Sequence, residues 1–197
     1  MRYKHVIWDF DGTLFDTYPI MAGAFCDALR EIGIDEPTDN IFSLMKISIG
    51  SAIEHYREKY KIGGAFLEKY ERDRLEVEKR KVQPFDGILE LCRNISESGG
   101  KNYLYTHRGE SSFYFLEKFG LDKYFTDFVT KTDNFPRKPS PDAILYLAEK
   151  HGMLSDDAIM IGDRDVDILA AKNAGVDGRL VAPEMSGLAG LFSFLLD

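Results

Sequence analysis

This chain of 197 residues is poor in cysteine and in long apolar stretches, and the scarcity of each excludes a class of protein. Its two cysteines, Cys26 and Cys92, are too few for a disulfide framework and lack the spacing of a zinc or redox site. They are expected to be buried, in a reducing compartment. The longest apolar tract, Gly187–Leu196, is too short to cross a bilayer and predicts a terminal core helix. These observations favour a cytoplasmic protein that does not enter a membrane.

Basic residues are also outnumbered. Lysine and arginine total 25 against 33 aspartates and glutamates, so the net charge is −8 and the isoelectric point is near 5.1. A nucleic-acid backbone requires a basic stripe, so nucleic acid is not an expected partner. No glycine-rich phosphate loop follows the first apolar run, which excludes a dinucleotide-binding protein. A small anionic substrate remains compatible with this charge if local cations or a metal ion hold it.

Apolar, β-rich runs alternate with helical patterns along most of the chain. The predicted strands end in polar residues with chemical capacity: His5–Asp9, Asn102–Thr106, Asp127–Thr130, Ala158–Asp163 and the shorter Arg179–Ala182. Helical patterns lie between them: Gly87–Ser98, Ser111–Phe119, Pro141–Lys150 and Asp165–Ala174. This alternation predicts an α/β fold, with a Rossmann-like parallel sheet and helices on both faces. Ligands of such sheets bind at the carboxyl ends of the strands, where these polar residues lie.

The stretch from about residue 18 to 82 breaks this alternation, because it has no clear strand and its apolar residues recur at helical spacing. We therefore predict an α/β core made of residues 1–16 and 83–197. An all-helical block, residues 17–82, is predicted to be inserted after the first strand. Its place in the chain suggests a lid, hinged at its two ends, that closes over the site and limits the size of the substrate.

The first motif is the string VIWDFDGT at residues 6–13, in which a short apolar run ends in Asp9 and Asp11. Alternate residues of a strand point the same way, so both carboxylates can face one site. Such a pair suits a nucleophile and a general acid/base beside a cation. Gly12 allows a tight turn, so that the amides after Asp9 can approach phosphate oxygens.

A second acidic strand end is the string MIGDRDVD at residues 160–167. Gathering Asp9, Asp11 and Asp163 at one edge of the sheet costs mutual repulsion, which a hard divalent cation with oxygen ligands would offset. Asp163 is therefore predicted to bind a metal ion. Asp167 is predicted to lie just outside the metal site, where it would orient Lys138.

Lys138 is the candidate cation of the site. The proline that follows it restricts its backbone to extended conformations, and its charge could hold both the Asp9 carboxylate and a phosphoryl group. Thr106 ends the second predicted core strand, and its hydroxyl could donate to a phosphoryl oxygen. His107 and Arg108 follow on a predicted loop and are candidate substrate contacts.

In this order, these motifs resemble those of the haloacid dehalogenase-like (HAD) hydrolase superfamily, and within it the phosphoglycolate phosphatase and β-phosphoglucomutase branch. The resemblance implies that Asp9 is the nucleophile and a magnesium (Mg2+) ligand. It implies that Asp11 is a general acid/base that also ligates the metal through its carbonyl. Thr106 and Lys138 would bind the phosphoryl group, and Asp163 would bind the metal. The implied partner is a small phosphorylated substrate, with phosphoglycolate as one candidate, and a helical cap is typical of the branch.

Other activities of the superfamily fit the sequence less well. Dehalogenases and phosphonate-cleaving relatives lack the aspartate at the position of Asp11. Mutases resembling β-phosphoglucomutase carry a histidine twelve residues after the nucleophile, where this chain has Met21. A sugar phosphomutase and a non-catalytic binding or regulatory relative are kept as the alternatives to a phosphatase. The sequence predicts a magnesium-dependent phosphatase that acts through an aspartyl-phosphate, as a monomer or homodimer.

Overall fold

The computed structural model describes residues 2–181 and 188–196, and the chain divides into two compact units. One unit contains residues 1–15 and 84–197, and the other contains residues 16–83. The strands in the described residues are β1 (His5–Trp8), β2 (Lys101–Tyr105), β3 (Phe125–Val129), β4 (Ala158–Gly162) and β5 (Asp177–Leu180). The α-helices there are α1 (Tyr18–Glu31), α2 (Thr38–Ile47), α3 (Ile49–Tyr60), α4 (Gly64–Lys81), α5 (Ile88–Glu97), α6 (Ser111–Lys118), α7 (Asp142–His151), α8 (Asp165–Asn173) and α9 (Leu188–Leu196).

The strands of the first unit form one parallel sheet in the order β3-β2-β1-β4-β5. At the end of β1, Trp8 is paired with Leu104 on one side and Ile161 on the other. The chain runs outward from β1 in one direction through β2 and β3, and in the other through β4 and β5. This reversal makes the carboxyl end of β1 a topological switch point, where parallel sheets bind ligands. The predicted α/β class is confirmed.

Helices cover both faces of this sheet, as predicted. Ile7 and Tyr103 are buried in a core cluster with residues of α7 and α8. The neighbouring Asn102 points to the opposite face. Its side-chain oxygen accepts from the Trp8 indole N–H at 2.9 Å, and its NH2 donates to the main-chain carbonyl of Cys92 in α5 at 2.9 Å. This amide therefore connects two strands and a helix.

Two strands begin two residues before their predicted starts. β5 begins at Asp177 rather than at Arg179, and all four of its residues are exposed. An exposed edge strand has no apolar run to mark where it begins. β3 begins at Phe125, two residues before the predicted start. Ala182 and Gly187, the ends of a predicted strand and of the predicted terminal helix, lie outside the described residues.

The second unit consists of α1 to α4 around an aromatic cluster. The ring of Phe25 meets the ring of Tyr70 edge-on, with centroids 4.9 Å apart, and lies 5.6 Å from the ring of Tyr56. Met21, Leu29 and other apolar residues of α1 pack into the same cluster. This burial explains the helical spacing of the apolar residues in the sequence. None of the described helices, in either unit, has the length and apolarity required to cross a membrane.

The second unit also buries a carboxylate, that of Glu36, which is only 4 % exposed. It accepts a hydrogen bond from Lys59 Nζ at 2.7 Å, one from Asn40 Nδ2 at 3.0 Å, and one from the Tyr60 hydroxyl. Hydrogen bonds from Lys59 and Tyr60 outweigh burial and lower the pKa of Glu36 to about 2. The carboxylate is therefore fully ionised at neutral pH and ties the segment before α2 to α3.

Candidate active site

The turn after β1 places the first two aspartates. Asp9 is 3 % exposed, and its N–H donates to the carbonyl of Ile161 in β4 at 2.9 Å. The Phe10 carbonyl accepts hydrogen bonds from the N–H groups of the residues at 13, 14 and 15, so the chain turns at once. Gly12 has a φ of 76°, a conformation that favours glycine. The acidic strand end is thus rigid on the Asp9 side and tightly turned after Asp11.

Lys138 joins this strand end to the end of β2 and to α8. Its Nζ lies 2.6 Å from Asp9 Oδ1, 2.8 Å from Asp167 Oδ1 and 2.8 Å from the main-chain carbonyl of Tyr105. Nζ donates hydrogen bonds to Asp9 and to the Tyr105 carbonyl, and its contact with Asp167 is an ion pair. The ring of Tyr105 also lies 4.5 Å from Nζ, within the range of a cation–π contact. Lys138 is therefore fully buried and fixed from several sides.

Three carboxylates come together beside Lys138. Among the described residues, Asp9, Asp163 and Asp167 each offer an oxygen within 4.8 Å of the others. Carboxylate oxygens are the donors that a hard divalent cation such as magnesium prefers, so the donor set fits that ion. Asp167, predicted to lie outside the metal site, contributes an oxygen to this group as well as contacting Lys138. The part of Asp11, through its main-chain carbonyl, stays a prediction.

The charges of this cluster oppose one another. Burial raises the pKa of Asp9 to about 6, although the charge of Lys138 lowers it, and the charge of Asp167 adds to the increase. Burial lowers the pKa of Lys138, but the two carboxylates outweigh it and the pKa is raised overall. Lys138 thus stays protonated while Asp9 is easier to protonate than an ordinary aspartate. Arg164 Nε lies 4.0 Å from Asp163 Oδ1 and adds a second cation, but two cations among three carboxylates still leave an excess of negative charge that a metal ion would neutralise.

Gly162, at the end of β4, makes this arrangement possible. A Cβ atom at this position would lie 2.4 Å from Cβ and from Cγ of Asp167. The other oxygen of Asp167, Oδ2, accepts the N–H of Arg164 at 3.1 Å, at the start of α8. Asp167 therefore lies flat against the glycine backbone, between α8 and Lys138. The sequence reasoning did not assign this role to Gly162.

The residues that follow β2 are more buried than the residues of a typical surface loop. Thr106 is 2 % exposed, and its Oγ1 accepts the N–H of Arg108 at 3.1 Å, which leaves the hydroxyl proton to be donated. His107 Nε2 accepts the backbone N–H of Lys138 at 3.0 Å. Burial, with the charges of Lys138 and Arg137, lowers the pKa of His107 to about 3. A neutral ring can accept this bond, so His107, predicted as a substrate contact, holds the backbone of Lys138.

Arg108 lies against Asp11. Its Nη2 and Nε are 2.6 Å and 3.2 Å from Asp11 Oδ1, and its side chain is 4 % exposed. Sequence reasoning missed this pair because no local pattern connects residues that are 97 positions apart. The only available signal was a basic residue after one strand end and an acidic residue after the neighbouring one. The structure thus brings the predicted residues into two groups, one around Lys138 and one around Arg108.

Comparisons with known proteins agree with the motifs. The sequence profile of the haloacid dehalogenase-like hydrolases matches residues 6–181. A phosphoglycolate phosphatase from Vibrio parahaemolyticus is 30 % identical over 187 residues, which cover 87 % of this chain and 80 % of that protein. Pyrophosphatase PpaX from Halalkalibacterium halodurans is 27 % identical over 202 residues, covering 95 % and 87 % respectively. The crystal structure of a hydrolase from Streptococcus pneumoniae TIGR4 matches with 35 % identity and a TM-score of 0.74, covering 98 % of this chain and all of that one.

Proposed function

Because this chain belongs to the haloacid dehalogenase-like hydrolase family, we propose that it is a magnesium-dependent phosphatase that forms a covalent phosphate on Asp9. The observation that carries the proposal is the buried contact of Lys138 with Asp9 and Asp167, beside the carboxylate of Asp163. A carboxylate at the carboxyl end of a central strand, held by a cation, is placed to attack a bound phosphoryl group.

The reaction takes two displacements at phosphorus. In the first, an Asp9 carboxylate oxygen attacks, the bond from phosphorus to the leaving oxygen breaks, and Asp11 donates a proton to that oxygen. In the second, Asp11 takes a proton from a water molecule whose oxygen attacks the phosphorus of the aspartyl-phosphate. Inorganic phosphate leaves and the Asp9 carboxylate is regenerated. Lys138 and the Thr106 hydroxyl stabilise the negative charge of the phosphoryl oxygens in both steps.

The residues that would hold magnesium are Asp9, Asp163 and, through its carbonyl, Asp11. Asp167 adds an oxygen next to them while it orients Lys138. When bound, the ion would supply positive charge opposite the phosphoryl oxygens and relieve the repulsion among the carboxylates. His107 keeps the backbone of Lys138 in place through its ring nitrogen.

The proposed substrate is a small phosphorylated metabolite. Phosphoglycolate and pyrophosphate are the first compounds to test, since two of the relatives are named as a phosphoglycolate phosphatase and a pyrophosphatase. The proposal keeps residues 17–82 as a lid that limits substrate size. It also keeps a cytoplasmic monomer or homodimer, with no nucleic-acid or membrane partner.

The test is the variant Asp9→Asn with magnesium and each of these substrates. Removing a nucleophile lowers turnover by about 10⁴-fold or more. Wild-type protein quenched in acid during turnover should carry one phosphate on the peptide that contains Asp9, and Asp9→Asn should carry none. Asp156→Asn, an exposed aspartate of the same unit, serves as the control and should behave as wild type. Wild-type turnover in Asp9→Asn, or turnover unaffected by excess chelator, would contradict the proposal.

A further inference from the structure

Arg108 and Asp11 form a buried ion pair between the ends of two neighbouring strands. Arg108 Nη2 donates to Asp11 Oδ1 at 2.6 Å, and Nε lies 3.2 Å from Oδ1 and 3.5 Å from Oδ2. The two side chains are 4 % and 15 % exposed. Two N–H groups of one rigid fork on one carboxylate restrict both its position and its rotation, which a single point charge does not.

The guanidinium itself is held in place. It lies 5.0 Å from the ring centroid of Phe10 and 5.8 Å from that of Phe115, and these two rings are 6.1 Å apart. Its Nη1 is 3.4 Å from the hydroxyl oxygen of Ser111 at the start of α6. The backbone N–H of Arg108 donates to Thr106 Oγ1. The fork is therefore oriented toward Asp11 by β2, α6 and the turn after β1.

We propose that Arg108 is a positioning residue for proton transfer, which acts by fixing the Asp11 carboxylate and does not contact the substrate. This inference rests on the proposed function, because it requires Asp11 to be the acid/base. Asp11 has to serve two oxygens in succession, that of the leaving group and that of the attacking water. Both transfers need the carboxylate in one place, and a misplacement of about 1 Å costs about 10²-fold in rate.

A direct contact between Arg108 and substrate fits the geometry less well. The guanidinium is almost fully buried, and its N–H groups are directed at Asp11 and Ser111. Binding an anionic substrate would require the ion pair to open, and Asp11 would then lose its orientation at the moment when it is needed. The geometry therefore assigns Arg108 to Asp11 rather than to the substrate, in contrast to the sequence prediction.

The experiment is a double-mutant cycle with Asp11→Asn, Arg108→Met and the double variant, assayed on the best substrate found for the wild-type protein. Arg108→Met should lower kcat by about 10²-fold with little change in KM. Arg108→Lys, which keeps the charge without the fork, should recover part of this loss. If Arg108 acts through Asp11, the double variant should be no slower than Asp11→Asn alone. Arg93→Met, an exposed arginine in α5, is the control and should match wild type.

Losses that multiply in the double variant, or an Arg108→Met variant with raised KM and normal kcat, would overturn the inference and indicate a substrate contact. Near-normal turnover in Asp11→Asn would instead contradict the acid/base role in the proposed function. Circular dichroism and thermal unfolding check that each variant is folded. If Arg108→Met does not fold, the same cycle is run with Arg108→Lys. In Arg108→Ala, low millimolar guanidinium should restore kcat, and failure to do so in a folded variant also counts against the inference.

Discussion

Asp9 in the first unit and Glu36 in the second are both buried carboxylates beside a lysine, yet their acidities move in opposite directions. Asp9 is 3 % exposed and lies 2.6 Å from Lys138, and its pKa is raised by burial to about 6. Glu36 is 4 % exposed and lies 2.7 Å from Lys59, and hydrogen bonds from Lys59 and Tyr60 lower its pKa to about 2. Burial and one cation are therefore not enough to determine the charge state.

The difference lies in what surrounds each pair. Asp9 and Asp167 both contact Lys138, and a carboxylate oxygen of Asp167 lies close to a carboxylate oxygen of Asp9. Glu36 is surrounded by hydrogen-bond donors: Lys59, Asn40, Tyr56 and Tyr60. A carboxylate surrounded by hydrogen-bond donors stabilises the fold. A carboxylate held among like charges destabilises it, and such groups are concentrated at sites that carry out a reaction or bind a metal ion. The comparison separates a structural ion pair from a reactive one.

The largest effect on stability is expected from replacing the lysine of each ion pair. Lys138→Met leaves buried carboxylates without their cation, and should lower the free energy of unfolding by about 3–5 kcal/mol at pH 8. The side chain of Lys59 is 43 % exposed, and Lys59→Met should lower the free energy of unfolding much less because solvent screens that pair. Urea unfolding of both variants without divalent ions measures the difference. Equal losses would mean that the two pairs are of the same kind.

Measurements of turnover should also distinguish the same two variants. Lys138→Met should reduce kcat on every substrate by about 10²–10³-fold, the range for losing one group that stabilises the transition state. Lys59→Met should leave the rate constant of the chemical step unchanged.

A smaller effect on stability is expected from replacing one glycine by alanine in each unit. Gly162→Ala would place a Cβ 2.4 Å from Asp167, so the variant should lose about 1–3 kcal/mol of stability and much of its turnover. Gly23→Ala in α1 meets no atom within 4 Å, and it should gain about 0.5–1 kcal/mol because alanine favours a helix. Thermal unfolding and steady-state assays check both. A stabilised Gly162→Ala variant with normal turnover would show that Asp167 does not need its place against the backbone.

The smallest expected effect is the pH dependence of stability that comes from Glu36. Because the pKa of Glu36 is lowered from 4.5 to about 2, its ionised form contributes stability above pH 4.5 that is lost as the pH falls through 2. Glu36→Gln should therefore cost about 1–2 kcal/mol at pH 7, and the difference from wild type should shrink between those two pH values. Glu58→Gln, an exposed glutamate of α3, is the matched control. A difference that is constant with pH would exclude the charge as the source.

The family, the enzyme class and the α/β fold were predictable from the sequence, and the comparisons confirm the predicted family of phosphoric monoester hydrolases. Short apolar runs that end in Asp9, Thr106 and Asp163 determine both the strands and the residues at their ends. Parallel pairing then forces these ends together. This part of the site depends only on backbone periodicity, and that periodicity can be read from a single sequence.

Other parts of the site depend on side-chain direction and could not be predicted. His107 and Arg108 are adjacent in the sequence, but one accepts the N–H of Lys138 and the other donates to Asp11. Asp167 reaches the other carboxylates because Gly162 has no side chain to displace it. Such contacts depend on rotamers and on packing between distant segments, and the sequence contains no periodic signal for them.

The position of Trp8 makes the protein a convenient optical reporter. It is the single tryptophan of the chain, is fully buried, and directly precedes Asp9, with its indole N–H bonded to Asn102. Excitation at the red edge of protein absorbance therefore reads one place in the molecule, one residue from the proposed nucleophile. Its emission should be blue-shifted in the native state and shift to the red when the sheet of the first unit opens. Local melting confined to residues 16–83 should leave its emission unchanged, so fluorescence and far-ultraviolet circular dichroism together would resolve the two units.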